Sequence, residues 1–204
     1  LDQTGTLVAT QVTSDSGFYQ FDDLPAGVYT VEETQPTGWL DGLDTAGTID
    51  GVTTGQAINP GDRLVDIALG YGQAGLNYNF GELLPAQLSG RVCSSAELDC
   101  RTDVAAHPLP GVTLQLLNST GAPIATTVTD DQGRYQFTGL VPGNYQVREV
   151  QPVDQFDNRQ YAGSAGGDAT QSNLIRAIEL GSAAVATDYD FCELPAARLS
   201  GRVF

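Results

Sequence analysis

The chain has 204 residues, 41% of them hydrophobic, and its 25 acidic residues against 9 basic ones leave a net charge of −16. Every basic residue is Arg and none is Lys, which argues against the clustered cations that nucleic-acid backbones and anionic membranes attract, and no apolar run approaches the roughly 20 residues of a membrane-spanning helix. The apolar content suffices for one large domain or two of about a hundred residues, and is too high for an intrinsically disordered chain.

In chain order, residues 5–21 read GTLVATQVTSDSGFYQF, residues 24–36 LPAGVYTVEETQP, and residues 78–83 YNFGEL. LSGRVC follows at 88–93. VTLQLL at 112–117 and IATTVT at 124–129 alternate and are rich in β-branched side chains, which predicts two strands. Asn118-Ser119-Thr120-Gly121 between them is a hairpin turn, and also a glycosylation sequon. Thr129 to Gly133 is a second turn, with Gly133 free to take positive φ. Arg134 to Phe137 and Asn144 to Val150 alternate again, and Leu174 to Leu180 and Ala184 to Phe191 supply the last two strands. No stretch carries a capped 3.6-residue period, so the prediction is all-β.

The chain repeats itself. GTLVATQVTSDSGFYQF pairs with GAPIATTVTDDQGRYQF at 121–137, and LPAGVYTVEETQP with LVPGNYQVREVQP at 140–152. Gly17, Tyr19, Phe21, Gly27, Tyr29, Glu33 and Pro36 thus correspond to Gly133, Tyr135, Phe137, Gly143, Tyr145, Glu149 and Pro152, an offset of 116. The offset falls to 111 where YNFGEL pairs with YDFCEL at 189–194 and LSGRVC with LSGRVF at 199–204. This frame predicts a module lacking its first strand at 1–87, a complete module at 88–197, and the first strand of a further module at 198–204. A start at Leu1 rather than Met is read as a mature or excised segment.

The string TDDQGRYQFTGLVPGNYQVREVQP, with its opening LSGRV and closing YDFCELP, resembles the B-type repeats of bacterial surface adhesins: the serine-aspartate-repeat B domains and the collagen-adhesin B domains. The resemblance covers nearly the whole chain, twice. It implies tandem Ig-like, prealbumin-like β-sandwich modules in a secreted, extracellular protein at the cell surface.

The same resemblance raises three site chemistries. Collagen-adhesin B domains join a Lys to an Asn through an isopeptide bond promoted by a buried Glu. The Glu falls at Glu33 and Glu149, and Asn79 or Asp190 lies near the last-strand position, but there is no Lys to react. Period-2 spacing with Tyr145 and Val147 turns Glu149 toward the core, so these carboxylates without a Lys partner are expected to be hydrogen-bonded or at the rim. Serine-aspartate-repeat B domains carry an EF-hand-like calcium loop after the first strand. Here Ser95, Glu97, Asp99 and Asp103 fall at ligating positions for Ca2+, while Cys100 replaces the turn Gly and Ala106 the bidentate Glu. Asp22-Asp23 and Asp130-Asp131 read as Asx turns. First and last strands are neighbours in this sandwich, so a Cys100–Cys192 disulfide would tie the loop to the module's end and close about 90 residues, worth roughly 4–5 kcal/mol in the chain-entropy model. Cys93–Cys192 and Cys93–Cys100 remain open, with Cys93 the alternative partner or the free thiol. Zinc is not expected, since His107 is the one His and no C-x-x-C spacing exists.

No nucleophile–base pair or metal-protease motif is present, which argues against an enzyme. The expected role is structural: a semi-rigid stalk or extracellular fibre whose partners are neighbouring modules of the same chain, or a homo-polymer through edge strands. No nucleic acid and no membrane insertion are expected. The alternative is an adhesive module binding a host protein or glycan, for which Trp39 and Tyr161 are candidate platforms.

Overall fold

A computed structural model describes residues 1–97 and 99–204. Contacts divide the chain into two compact units, Leu1–Leu83 and Leu84–Phe204.

The first unit holds β1 (Gly27–Glu32), β2 (Leu40–Asp41), β3 (Thr48–Ile49), β4 (Val52–Thr53), β5 (Gln56–Ile58), β6 (Arg63–Leu69), β7 (Gly75–Leu76) and β8 (Glu82–Leu83). The second holds β9 (Ala86–Ser94), β10 (His107–Pro108), β11 (Thr113–Asn118), β12 (Pro123–Val128), β13 (Arg134–Leu140), β14 (Gly143–Glu149), β15 (Gln155–Tyr161), β16 (Asp168–Gln171), β17 (Leu174–Leu180), β18 (Val185–Ala186) and β19 (Asp190–Pro195). No helix among the described residues is long and apolar enough to cross a membrane.

The second unit is a β-sandwich. One sheet runs β10-β9-β19-β15, with β13 and β18 also paired to β9, and the other runs β12-β11-β14-β17-β16. Alternation along β13 turns Tyr135 and Phe137 inward, and along β14 Tyr145 and Val147. They meet Leu88, Val92, Leu114, Leu116, Ile175 and Ile178 in one buried cluster. Each such aliphatic or aromatic side chain contributes about 1.5–3 kcal/mol by leaving water.

β9 organises this core. Its first part pairs antiparallel with β13, Arg91 opposite Arg134 and Leu88 opposite Phe137. Its last part pairs parallel with β19, Val92 opposite Phe191 and Cys93 opposite Cys192. The Gly of LSGRV is required here. A Cβ on Gly90 would lie 1.9 Å from the Tyr189 carbonyl oxygen, and the Tyr135 hydroxyl donates to that same oxygen at 2.6 Å. Gly133, at φ 70°, closes the turn before β13, where the Asp130 carboxylate accepts from the Gln132 and Arg134 amides, each at 2.8 Å.

Three strands, β10, β15 and β16, lie where the sequence predicted none. The segment predicted as one strand from Ala184 to Phe191 is two, β18 and β19, separated by an irregular stretch in which Asp188 takes φ 67°.

The first unit repeats much of this at smaller scale. β6 lies between β1 and β5, over a core of Ile49, Leu64 and Ile67 flanked by Tyr29, Val31, Tyr78 and Phe80. The turn at Asp2, whose carboxylate accepts from the Thr4 and Thr6 amides at 2.8 and 2.9 Å, matches the turn at Asn118, which accepts from Thr120 and Ala122, each at 3.0 Å. Tyr19 donates to the Tyr78 carbonyl at 2.6 Å, as Tyr135 does to Tyr189. Yet residues 7–24, the counterparts of β12 and β13, form no strand. Leu7, Val12, Tyr19 and Phe21 of this stretch line an open groove of about 590 Å³ together with Val31 and Phe80 among others. At the other end, residues 198–204 form no strand and are exposed.

Candidate functional site: a cysteine trio and buried carboxyl pairs

The three cysteines converge. Parallel pairing of β9 with β19 sets Cys93 and Cys192 side by side, and the loop after β9 folds back to bring Cys100 onto them. All three are buried, and their sulfurs lie within 4.8 Å of one another. The Cα of Cys100 lies 5.6 Å from that of Cys192 and 6.3 Å from that of Cys93. Both separations suit a disulfide. The Cys100 amide N–H donates to Cys192 Sγ at 3.3 Å. Tyr161 and Ala106 pack against the trio, and the Arg101 guanidinium stacks 3.3 Å over the Tyr161 ring. An open cleft of about 300 Å³, lined by Cys93, Cys100, Arg91, Arg101, Asp103 and Gln132 among others, reaches the trio from solvent.

The loop that carries Cys100 was also the calcium candidate. Asp99 is engaged by Arg101, Nε to Oδ1 at 3.0 Å and Nη2 to Oδ2 at 2.9 Å, which lowers its carboxyl pKa to about 2. Asp103 accepts from the Ser95 hydroxyl at 2.5 Å and the Ala105 amide at 2.8 Å, and Ser95 also accepts from the Glu97 amide at 2.9 Å. Ala106 offers only a methyl group where a bidentate carboxylate belongs. Calcium wants six to eight oxygens; here Asp99 is committed to a guanidinium and Asp103 to Ser95 and its own turn, and Cys100 and Ala106 bring no side-chain oxygen, so the loop does not fit the ion.

The second cluster is carboxylic. Glu149, closing β14 in one sheet, is buried against Glu193 on β19 in the other. Burial raises the pKa of both, and for Glu149 the neighbouring Glu193 raises it further. Glu149 in its acid form donates to the Glu193 carboxylate, which also accepts from the Gln151 amide. One shared proton therefore clamps the two sheets together. Asp157 adds negative charge beside the pair. Oε1 of each Glu is buried without a hydrogen-bond partner. The first unit repeats the device with Glu33, Gln35 and Glu82, at matching positions. Gln35 donates to Glu82, and the Glu33 carboxyl rises to about 7, first through burial and then through Glu82, Asp62 and Asp44.

The sequence turned Glu149 toward the core but did not see its partner. The signal was there: both copies keep V-x-E-x-Q-P and close on E-L, so the Glu, the Gln and the second Glu recur together. No Lys exists to make an isopeptide bond. Asp190 instead caps β9, accepting from the Arg91 amide at 3.0 Å, and Asn79 bridges Thr45 in backbone pairing. His107 is exposed on β10, in register with Ser94 of β9. Trp39 is 43% exposed, in the first unit, while Tyr161 is half-buried beside the cysteines of the second.

Fold and site together define an all-β module, repeated along the chain, with a buried carboxyl group in each copy and a cysteine brace in the second. The model of the SdrD B-like domain matches residues 1–83 and again 86–192, and the chain belongs to that family. It is 33% identical over 156 residues to serine-aspartate repeat-containing protein D of Staphylococcus aureus, an alignment covering 74% of this chain and 11% of that protein. Protein F of Staphylococcus epidermidis aligns at the same identity, with 9% of it covered. The chain thus spans about a tenth of the length of the curated relatives it matches. Among solved structures, the minor pilin GBS52 of Streptococcus agalactiae aligns over 93% of this chain and 70% of its own at 14% identity, with a TM-score of 0.33. The shaft pilin SpaA of Lactobacillus rhamnosus GG aligns over 93% and 71% at 15% identity, with a TM-score of 0.35.

Proposed function

We propose that the chain is a non-catalytic, load-bearing segment of an extracellular surface protein, in which B-type modules in series act as a stalk. One observation carries this reading: in the second unit the first strand, β9, and the last long strand, β19, lie side by side and parallel. A pull on the N-terminal end of β9 and the C-terminal end of β19 acts along the strands in opposite directions. The bonds between them are then sheared together rather than unzipped one at a time, which is the stronger arrangement. Only Leu84 and Pro85 separate β8 from β9, a short, Pro-bearing link that supports a stiff series. A charge of −16 keeps such segments soluble and mutually repelling.

Single-molecule pulling of the chain between inert handles tests the proposal. The expected result is abrupt, cooperative rupture of the second unit. Gradual lengthening at low force would overturn it. So would weak mechanical resistance together with saturable binding to a purified host matrix protein or glycan, the outcome expected of an adhesive module.

A further inference from the structure

Three cysteines meet where one disulfide is possible, and the surplus sulfur is the informative one. The three sulfurs lie within 4.8 Å of one another, and the Cα separations of Cys100 from Cys192 and from Cys93 both suit a bridge, but a sulfur holds one disulfide at a time. We propose that the trio is a thiol–disulfide latch: Cys100 exchanges between Cys192 and Cys93, and the exchange decides whether the body of the second unit lies inside or outside the path of a pulling force.

The chemistry balances without any oxidant or reductant. In the closed state Cys100 is bonded to Cys192 and Cys93 is a thiol. The Cys93 thiolate attacks Cys100 Sγ, the Cys93–Cys100 bond forms as the Cys100–Cys192 bond breaks, and Cys192 leaves as the thiolate and takes up the proton that Cys93 gave up. One disulfide and one thiol stand on each side. The site is arranged for this. Parallel register holds attacker and leaving group side by side on β9 and β19. The Cys100 amide already donates to Cys192 Sγ, at 3.3 Å, and so stabilises the charge that develops on the leaving sulfur. Arg91 and Arg101 border the cleft beside Cys93, and cationic neighbours favour an attacking thiolate. The cleft also admits a small thiol, which can catalyse the exchange from solvent.

The mechanical consequence rests on the load-bearing reading above. With Cys100 bonded to Cys192, force entering along β9 crosses the bond and leaves along β19, and the 92-residue separation between the two cysteines is bypassed. With Cys100 bonded to Cys93, the bridge spans a separation of only 7 residues, and everything beyond Cys100 is returned to the load. At about 3.3–3.6 Å per extended residue the difference is roughly 300 Å of added length per module.

Two measurements test this. The first is non-reducing peptide mapping of the wild-type chain after equilibration with a trace of dithiothreitol and acid quenching. Both the Cys100–Cys192 and the Cys93–Cys100 peptides are expected. A single pairing that persists through equilibration, a Cys93–Cys192 bridge, or three free thiols in native material would each overturn the exchange. The second is pulling on wild type, Cys93→Ala and Cys192→Ala without reductant. Cys93→Ala removes the attacker and keeps the long bridge, so the roughly 300 Å step should vanish. Cys192→Ala should show that step in every molecule, and wild type should show a mixture. Long steps in Cys93→Ala would overturn the latch. Mapping that shows both pairings while all three proteins extend alike would leave the exchange standing and overturn the load path.

Discussion

The two units carry the same sequence pattern, yet a segment that is a pair of strands in one is strandless in the other. GAPIATTVTDDQGRYQF builds β12 and β13; GTLVATQVTSDSGFYQF, in matching frame, forms the same turn at Ser14, where the hydroxyl accepts from the Phe18 amide at 3.2 Å, but no strand on either side. Turn chemistry is local and survives by itself. A strand is a ladder and needs its neighbour. Tyr19, Phe21 and Leu24 are only half-buried, whereas their counterparts Tyr135, Phe137 and Leu140, on a strand paired with β9, are buried.

The comparison can be broken most forcefully by supplying the neighbour. Grafting residues 86–116 ahead of Leu1, in frame, is expected to order residues 7–24 into strands and to slow amide exchange there by orders of magnitude; exchange unchanged from the parent chain would mean that the divergent residues, not the missing ladder, keep the segment open. The converse acts on the second unit. Leu88→Ala, at a fully buried position on β9, should cost about 2–5 kcal/mol in urea unfolding, whereas Leu7→Ala, on the open face of the first unit, should stay within about 0.5 kcal/mol. Gly90→Ala should cost about 3 kcal/mol through overpacking against the Tyr189 carbonyl, and equal stability of mutant and parent would refute the close approach.

Proton linkage sharpens the comparison further. The carboxyls of Glu33 and Glu149 are raised in the folded state, so each binds its proton more tightly folded than unfolded. The stability they contribute is complete below the unfolded value of about 4.3 and is lost as pH rises through the folded one. For Glu33 that window closes near 7; for Glu149 it extends higher. Urea midpoints taken from pH 4 to pH 9 should therefore fall with rising pH, earlier for the first unit than for the second. Glu149→Gln, which keeps a donor toward Glu193, should flatten the fall for the second unit and stabilise it at pH 8 by about 1–3 kcal/mol. The smallest effect is expected in the Asp99 loop. Chelator or added calcium should leave thermal unfolding unchanged within error, because Arg101 and Ser95 already occupy the carboxylates.

Much of this was legible in advance. The alternation of β11 to β14 and of β17 follows from apolar spacing and turn residues, and the LSGRV and D-x-x-G glycines sit where backbone crowding and positive φ demand them. β15 and β16 were not legible, since DQFDNRQY and DATQ carry mostly polar residues and gain strand character only from pairing with β19 and β17. The convergence of Cys93 with Cys192 depended on knowing that first and last strands adjoin. The Glu149–Glu193 contact crosses the sandwich between residues 44 positions apart, a separation that no local pattern encodes.

The shared proton has a consequence beyond stability. At neutral pH the folded second unit keeps the Glu149 proton and an unfolded chain does not, so that unit gives the proton up when it opens. Hydrogen ion is then a ligand of the closed module by mass action. A row of such modules drawn out at neutral pH would discharge protons into its surroundings, and an acidic medium would resist the stretch.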